Sequence, residues 1–538
     1  MKRNALALLL VLIMTLSLVS VSAMAETPTI TIMVPDHPYV KDWEKNLQTQ
    51  KIEEVCGVDL QFQKLPYDAN ERMQKIEMMA LDNGRDFADI VIVQSGNTSY
   101  LGTLQTFAEM GLVVTLNDYM NDTPYLDASL ANMVVLPMTK QEYIRYLTST
   151  DGNIYCFGYS LFTINNQLSG CRIMLYEPWL KELGLEVPTT TEELRNVLIA
   201  FRDKDPNGNK KNDEIPLISF NTAASQQLLR TLMNPFIYTQ ENFLINEDGQ
   251  LVFAPIQDGW KDGLAYIKSL VDDGLLSSLS FTQDQAQMTA LMAAEEHIVG
   301  AIAHISTSNL PPTDARREQY VIMGAIEGPT GLRQQTQRAC VPTPSAFITS
   351  NCKNVEAAVK VLDYLSSIEM LNWSRYGIEG ENYVYLETPG RGIYESLGYK
   401  GDIYEIKNIW GVEQSVHWAQ VGPVVGDGST ITYRTVYTPT EGNYNHSVPI
   451  GATIKRELDY VNTENRVGGL IFTAEEQEVV NEFRSTIEGA VTEAYTLFVT
   501  GNRDLESEWD AYVKSLYDMG LEPYMQALQA SWDRANQK

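Results

Sequence analysis

Cysteine and histidine are scarce in this chain, which has five of each among 538 residues. Because the cysteines are few and odd in number, a disulfide framework cannot define the fold. Cys156 with Cys171, or Cys340 with Cys352, could pair in an oxidising compartment, but buried free thiols are the expected state. No H-x-x-H or C-x-x-C spacing occurs, which argues against a zinc site.

Positive charge is also scarce. The chain has 40 lysine and arginine residues against 69 aspartate and glutamate residues, a net charge of −29. Nucleic acid and anionic membranes repel such a surface over long range, so we expect neither as a partner. No G-x-G-x-x-G or G-K-[ST] motif follows the predicted strands, which excludes dinucleotide-binding and P-loop chemistry.

Only one long apolar run is present, and it lies at the N-terminus. Lys2 and Arg3 precede an apolar stretch over about residues 5–19, and Ala23-Met24-Ala25 follows, which is typical of a secretory signal peptide over residues 1–25. Its removal takes the net charge to −31. No cysteine lies in the first 55 residues, and no later run approaches the ~18 apolar residues of a membrane span. We therefore expect an exported protein, periplasmic or extracellular, without a lipid anchor.

After residue 28 the pattern alternates between strands and helices. Such alternation predicts a parallel sheet whose ligand loops lie beyond the carboxyl ends of the strands, here residues 35–39 and 94–98. The predicted strands are Thr29–Val34, Val58–Gln63, Ala88–Val93 and His297–Ala303. The predicted helices are Trp43–Glu54, Asn70–Leu81, Val355–Ser366 and most of the tail from Thr473 to Trp532.

The most specific motif lies at residues 203–214, where acidic and amide side chains alternate around Gly208. Ca²⁺ takes six to eight oxygen ligands, and a tightly turned loop of this composition supplies them. The run satisfies D-x-[DN]-x-[DN]-G-x5-E from Asp203 to Glu214, although a solvated turn has a similar composition. We prefer a second register, because the first puts Lys211 where a small oxygen-bearing side chain normally sits. Its ligands are Asp205, Asn207, Asn209, the Lys211 carbonyl, Asp213 and Glu214.

One helix precedes this loop, and none can follow it directly. Thr190 as N-cap and Glu193 three residues later indicate a capping box, and Pro216 blocks a helix after the loop. The apolar positions of the first helix recur at helical spacing: Leu194, Val197, Leu198 and Phe201. A sensor EF-hand needs a helix on both sides in order to open and close. We therefore expect the ion to stabilise a loop and to switch nothing.

Together with this loop, three further stretches resemble a known family. They contain Trp179-Leu180 with Leu183-Gly184-Leu185 and Pro188-Thr189-Thr190; Tyr376-Gly377-Ile378-Glu379-Gly380-Glu381-Asn382-Tyr383; and Gly501, Asp504-Leu505, Trp509-Asp510, Tyr512-Val513 and Gly520-Leu521. In this order they resemble the long, oligosaccharide-binding branch of the bacterial extracellular solute-binding proteins of family 1. That branch includes Gram-positive uptake lipoproteins and alginate-binding proteins, many of which carry a lipobox cysteine that this chain lacks.

The resemblance implies an α/β, two-lobe periplasmic-binding-protein fold of type II character, with a ligand cleft between the lobes and a helical C-terminal region. It also implies the second calcium register, delivery of an oligosaccharide to the permease of an ABC transporter, no enzymatic activity, and a monomer. The expected divisions are 1–25 signal peptide, 26–155 first segment of the N-terminal lobe, 156–300 first segment of the C-terminal lobe with the calcium loop, 301–370 return to the N-terminal lobe, and 371–538 hinge crossing and helical C-terminal region.

The candidate ligand residues are aromatic and charged side chains in stretches that we interpret as loops or crossings. Oligosaccharides stack their C–H faces on aromatic rings, and their hydroxyls need polar partners. The rings are Tyr159, Trp373, Trp410 and Trp418, and the charged groups are Arg375, Glu379 and Glu381. Against this, most aromatic residues of a large chain are core, and Glu379 could cap a helix or pair with Arg375. We assign Trp43, Trp179, Trp260, Trp509 and Trp532 to the core.

Two other classes of function remain open from the residues. Glu379 and Glu381 could form the carboxylate pair of a secreted glycoside hydrolase, although no G-x-S-x-G elbow is present and two carboxylates without a positioned partner are a weak signal. A ligand-binding subunit of a membrane sensor system would have the same sequence features as a transport subunit.

Overall fold

The computed structural model describes residues 27–133, 136–162, 168, 172–221, 223–238, 242–304, 307, 310, 314–337, 339–428, 431, 434–436, 451, 453–455, 457–462, 465 and 467–536. The predicted signal peptide and Cys171 lie outside these residues. No helix within these ranges is long and apolar enough to cross a membrane.

Strands and helices alternate as the sequence predicts. The strands are β1 Thr29–Pro35, β2 Asp59–Leu65, β3 Ile90–Ile92, β4 Phe157–Phe162, β5 Arg172–Tyr176, β6 Phe243–Ile245, β7 Leu251–Phe253, β8 Ala301–His304, β9 Tyr320–Ile322, β10 Gln335–Thr336, β11 Thr343–Ile348, β12 Tyr383–Arg391, β13 Lys400–Glu405, β14 Val425–Asp427 and β15 Val461–Asn462. The helices are α1 Leu47–Cys56, α2 Ala69–Leu81, α3 Tyr100–Glu109, α4 Pro124–Ala131, α5 Lys140–Leu147, α6 Glu177–Leu183, α7 Thr191–Asp203, α8 Ala223–Met233, α9 Asp258–Asp272, α10 Gln285–Met292, α11 Val355–Leu365, α12 Ile368–Tyr376, α13 Ala474–Val499, α14 Leu505–Asp518 and α15 Leu521–Asn536.

The first lobe is built on a six-stranded sheet in the order β14-β4-β11-β3-β1-β2. β1 pairs in parallel with β2 and β3, and β14 pairs in parallel with β4, as the predicted alternation requires. β11 runs antiparallel to β3 and β4, which the expectation of a parallel sheet missed. β11 runs in the opposite direction because the chain enters it from the second lobe. By contrast, the chain enters β2 and β3 from helices of the first lobe.

The second lobe has a smaller sheet in the order β8-β5-β9, with both pairs antiparallel. The predicted helix before the metal loop is α7, and its four periodic apolar residues are all buried. Thr190 Oγ1 accepts the backbone N–H of Glu193, as predicted. The Glu193 carboxylate accepts from Thr189 N and Thr189 Oγ1, so the second half of the predicted capping box is displaced by one residue.

The structure corrects the expected lobe boundaries. β9 pairs with β5, so residues 301–322 still belong to the second lobe, and the chain returns to the first lobe only at β11. β4 belongs to the first-lobe sheet, which therefore extends beyond residue 155. The buried side chains of α13–α15 join the same hydrophobic core as α7 and β8, so the helical tail is part of the second lobe.

A small third cluster lies where α12 leads into the β12–β13 hairpin, with Leu371, Tyr376, Tyr383 and Ile403 in its core. Trp373 lies within α12, which corrects our interpretation of this stretch as a loop or crossing.

Of the cysteines, Cys56, Cys156 and Cys352 are buried free thiols, so the Cys340–Cys352 pair is not formed.

Candidate functional site

A cavity of about 450 Å³ opens at the carboxyl ends of the first-lobe strands. The predicted loops after β1 and β3 both contribute to it, with Pro35, His37 and Tyr39 from one and Gln94 from the other. The remaining lining residues are Tyr67, Arg72, Tyr159, Trp410, Ala419, Gln420 and Val421. Loops beyond the ends of parallel strands are where open α/β sheets bind ligands.

Aromatic rings form one wall of this cavity. His37 packs edge-on against Tyr39 and Tyr67, with ring centroids 4.9 Å apart in both pairs. Trp410 meets Tyr39 edge-on at 6.1 Å, and the Tyr67 side chain is 55% exposed. Exposed rings of this kind offer large apolar faces with few rotatable bonds, which suits the C–H faces of sugars.

The segment that carries Trp410 is attached to the first lobe by hydrogen bonds. Gln414 accepts the backbone N–H of Lys41 through its carbonyl and donates its own N–H to the Tyr39 carbonyl, each at 2.9 Å. Leu47 N donates to the Ser415 carbonyl at 3.0 Å. This segment therefore forms a fixed side of the cavity.

The structure brings some of the predicted ligand residues to this cavity and leaves others away from it. Tyr159 and Trp410 line it, and the guanidinium carbon of Arg375 lies 5.0 Å from the centroid of the Trp410 ring. Trp373 is half-buried and donates its indole N–H to the Val416 carbonyl, so it braces the attached segment.

Trp418 is not a cleft residue. Its side chain is fully buried between Trp43 and Phe62, and its indole N–H donates to Thr49 Oγ1 at 2.9 Å. Our placement of this ring in a ligand-contacting loop is therefore wrong in this structure. The three residues that follow it do line the cavity.

Glu379 and Glu381 are both exposed in the turn between α12 and β12, and neither is among the residues that line the cavity.

Burial lowers the pKa of His37, and it lowers the pKa of His417 to about 4 with a further contribution from Arg375. His37 Nδ1 accepts the Tyr39 backbone N–H at 3.2 Å, a contact that favours the neutral ring.

The sequence did not single out His37, Tyr39, Tyr67, Arg72, Gln94 and Gln420 as site residues. The loops after β1 and β3 were the signal for His37, Tyr39 and Gln94. Tyr67 and Arg72 follow β2, which the alternating pattern also locates. Nothing in the local pattern around Gln420 indicates a site, because the long-range attachment of its segment brings it there.

The predicted metal loop is a tight turn between α7 and an extended segment. Asp205, Gly208 and Lys210 all have left-handed backbone angles, with φ of +44°, +72° and +63°. Asn207 Oδ1 accepts Asn209 N at 3.0 Å, and Asn209 Oδ1 accepts Lys211 N at 2.7 Å. The chain continues in extended form, with Ile215 bridged to Val299, so the predicted absence of a second helix here is confirmed.

Two oxygens of this loop fit a bound cation. Asp205 Oδ1 and Glu214 Oε1 are buried and have no hydrogen-bond partner among the described residues. Burial, with the nearby Asp213 and Asp205 carboxylates, raises the pKa of Glu214. Asp203, by contrast, is held by Arg202 at 2.7 and 3.0 Å, so its carboxylate already has a partner.

Across the described ranges, no group of three or more His, Cys, Asp and Glu side chains could hold a metal by itself. A calcium site here therefore depends on the amide oxygens and the Lys211 carbonyl in addition to the three carboxylates. Asp205 and Glu214 belong to both registers, so it is the contact of Asp203 with Arg202 that favours the second register over the first.

No protein-family model matches the chain. It is 23% identical over 512 residues to the fructooligosaccharide ABC transporter substrate-binding protein FusA of Streptococcus pneumoniae, covering 92% of this chain and 88% of FusA. It is 21% identical over 396 residues to the lipoprotein LipO of Bacillus subtilis, covering 71% and 72% of the two chains.

Solved structures share the fold. An extracellular solute-binding protein from Bifidobacterium longum subsp. infantis superposes with a TM-score of 0.73 at 19% identity, over 95% of this chain and 99% of that one. An EF-hand mutant of S. pneumoniae FusA in complex with fructo-nystose gives a TM-score of 0.65 at 21% identity, over 94% and 99%. The expected two-lobe solute-binding fold is confirmed, as is the resemblance to ABC transporter substrate-binding proteins.

Proposed function

We propose that this chain, whose relatives are ABC transporter substrate-binding proteins, is an exported binding protein that captures an oligosaccharide and delivers it to a membrane permease. The observation that carries the proposal is the aromatic cavity at the carboxyl ends of the first-lobe strands. Its rings supply stacking faces, while Gln94 and Gln420 bring amide groups to the same cavity. This combination of apolar faces with few polar groups is what a sugar needs.

The test is a calorimetric titration of the purified chain with three glycans of different chemistry: kestose, mannopentaose and trigalacturonate. We expect saturable binding of one of them without any product appearing by chromatography. A chain that binds none of the three would contradict the proposal. A product whose formation stops in a Glu379→Gln, Glu381→Gln double variant would establish the hydrolase instead.

A sensor subunit would bind the same ligand, so titration does not separate it from a transport subunit. Reconstitution does separate them, because only a transport subunit stimulates ATP hydrolysis by permease vesicles when the glycan is present. We expect this stimulation. The exported location follows from the relatives, and LipO leaves open attachment of this chain to the membrane by a lipid.

We further propose that Ca²⁺ binds the 203–214 loop in the second register. Asp205, Asn207, Asn209, Asp213 and Glu214 would hold it with their side chains and Lys211 with its carbonyl. The ion would supply two positive charges against the three clustered carboxylates and would thereby stabilise the link between α7 and the sheet. The two buried oxygens without partners support a bound cation, and the contact of Asp203 with Arg202 favours the second register.

A further inference from the structure

Backbone strain is concentrated at the proposed cleft. Seven non-glycine residues within the described ranges have positive φ, and three of them line the 450 Å³ cavity: Gln94 at +40°, Ala419 at +51° and Gln420 at +61°. Non-glycine residues in such conformations are strained and persist where the surroundings hold them. None of the three is a residue type that favours this region.

Gln94 is held from several sides. Its backbone N–H donates to the Ser345 carbonyl at 3.0 Å, and its side-chain Nε2 donates to the Gln420 carbonyl at 2.9 Å. The second N–H of that amide and its Oε1 have no hydrogen-bond partner among the described residues. The Gln94 amide, which lines the cavity, therefore keeps one donor and one acceptor without a partner among the described residues.

Arg72 fixes the loops on either side of this amide. Its side chain is 4% exposed, and its guanidinium donates to four backbone carbonyls. Pro66 and Tyr67, after β2, accept from Nη1, while Val93 accepts from Nε at 2.8 Å and Gln94 from Nη2 at 3.4 Å. No described carboxylate forms an ion pair with it. A buried cation that binds carbonyls of two cleft loops is placed to define their geometry.

We propose that the Gln94 amide is a specificity-determining contact that binds two adjacent hydroxyls of one sugar unit, and that Arg72 is its positioning residue. This inference rests on the proposed function. An amide offers a donor and an acceptor in one plane, and each of two neighbouring hydroxyls can fill either role. The ligand class is then a glycan whose unit at this position keeps both hydroxyls unsubstituted.

The decisive variant is Gln94→Gly, titrated with whichever of kestose, mannopentaose and trigalacturonate binds the wild type. Glycine adopts positive φ without strain, which offsets the lost hydrogen bond to the Gln420 carbonyl, so the melting temperature of the ligand-free chain should change little. Affinity should fall roughly tenfold, because the sugar hydroxyls lose their partner in a desolvated site. Asn83→Gly is the matched control, since Asn83 is an exposed amide residue with positive φ that does not line the cavity. It should bind within about twofold of the wild type.

Arg72→Lys tests the positioning role. An ammonium group has three donors and cannot reproduce the four carbonyl contacts, so we expect affinity to fall by a comparable factor. In the Gln94→Gly background the same change should cost little further affinity, because Arg72 acts through Gln94. Arg85→Lys is the control, because Arg85 has only an exposed contact with Asp82.

Three results are distinguishable. A Gln94→Gly chain that melts lower but binds normally would overturn the inference and make Gln94 a structural residue. Additive losses in the double variant would overturn the role of Arg72. A wild type that binds none of the three glycans would overturn the proposed function, and this inference with it.

Discussion

Calcium should raise the thermal stability of the protein by an amount that the loop chemistry allows us to calculate. The loop brings three carboxylates to one turn and leaves Asp205 Oδ1 and Glu214 Oε1 buried without partners. For an extracellular site with a Kd on the order of 10⁻⁴ M, about 10 mM Ca²⁺ is a hundredfold excess and stabilises the folded state by about 2.7 kcal/mol. In a protein of this size that corresponds to a rise in Tm of roughly 2–3 °C.

The assay is differential scanning calorimetry of the same preparation with calcium and with a chelator. Asp213→Ala should abolish the calcium-dependent rise, because it removes a ligand and one of the three charges. Asp203→Ala should leave the rise unchanged, because that carboxylate is held by Arg202. Loss of the rise in Asp203→Ala would show that the first register is the correct one.

The pH dependence gives a second readout of the same site. A carboxyl group with a raised pKa in the folded state favours folding at low pH, and this contribution is lost as the pH rises through that pKa. Calcium needs the deprotonated carboxylate, so its stabilising effect should shrink as the pH falls toward the raised pKa of Glu214. Equal melting temperatures with calcium and chelator at neutral pH would refute the reasoning altogether.

Three further outcomes are expected. Trp410→Ala should weaken glycan binding by about 1–3 kcal/mol with little change in Tm, whereas Trp418→Ala should lower Tm and leave binding largely intact; titration and melting of both variants check this contrast. Burial lowers the pKa values of His297 and His417 from 6.5 to about 4. The stability that their neutral forms contribute is therefore complete above pH 6.5 and should be lost between pH 6.5 and about 4. Urea titrations across that range would measure the loss. Glycan binding should shrink the radius of gyration in solution scattering as the lobes close, and unchanged scattering at saturation would exclude hinge closure.

Local pattern was sufficient to predict part of the first lobe, namely β1, β2, β3, α2 and α11. The strand that begins at Thr29 and the buried run at Ile90 lie within a residue or two of their predicted positions, because each carries its own periodicity. The same holds for α7, whose N-cap and apolar face are local signals. The reversed strand β11 was missed. Its direction depends on the side of the sheet from which the chain enters it, and its own residues carry no signal of that.

The cavity was predictable only in part, for the same reason. Loops after β1 and β3 follow from strand order, so the region was located correctly. Individual rings could not be sorted from sequence: Trp410 and Trp418 are eight residues apart in one segment, yet one lines the cavity and the other is 0% exposed. That difference depends on Trp43 and Phe62, more than 350 residues away in the sequence.

The position of β11 has a consequence for how the chain is made. β11 lies between β3 and β4, so those two strands keep an open gap until residue 348 has been synthesised. The first lobe cannot finish its sheet before all of β5–β10 and then β14 have been synthesised. Pairing over such long sequence separations is slow. An unfinished first lobe with unpaired strand edges would then persist during synthesis, which would suit the export that we propose.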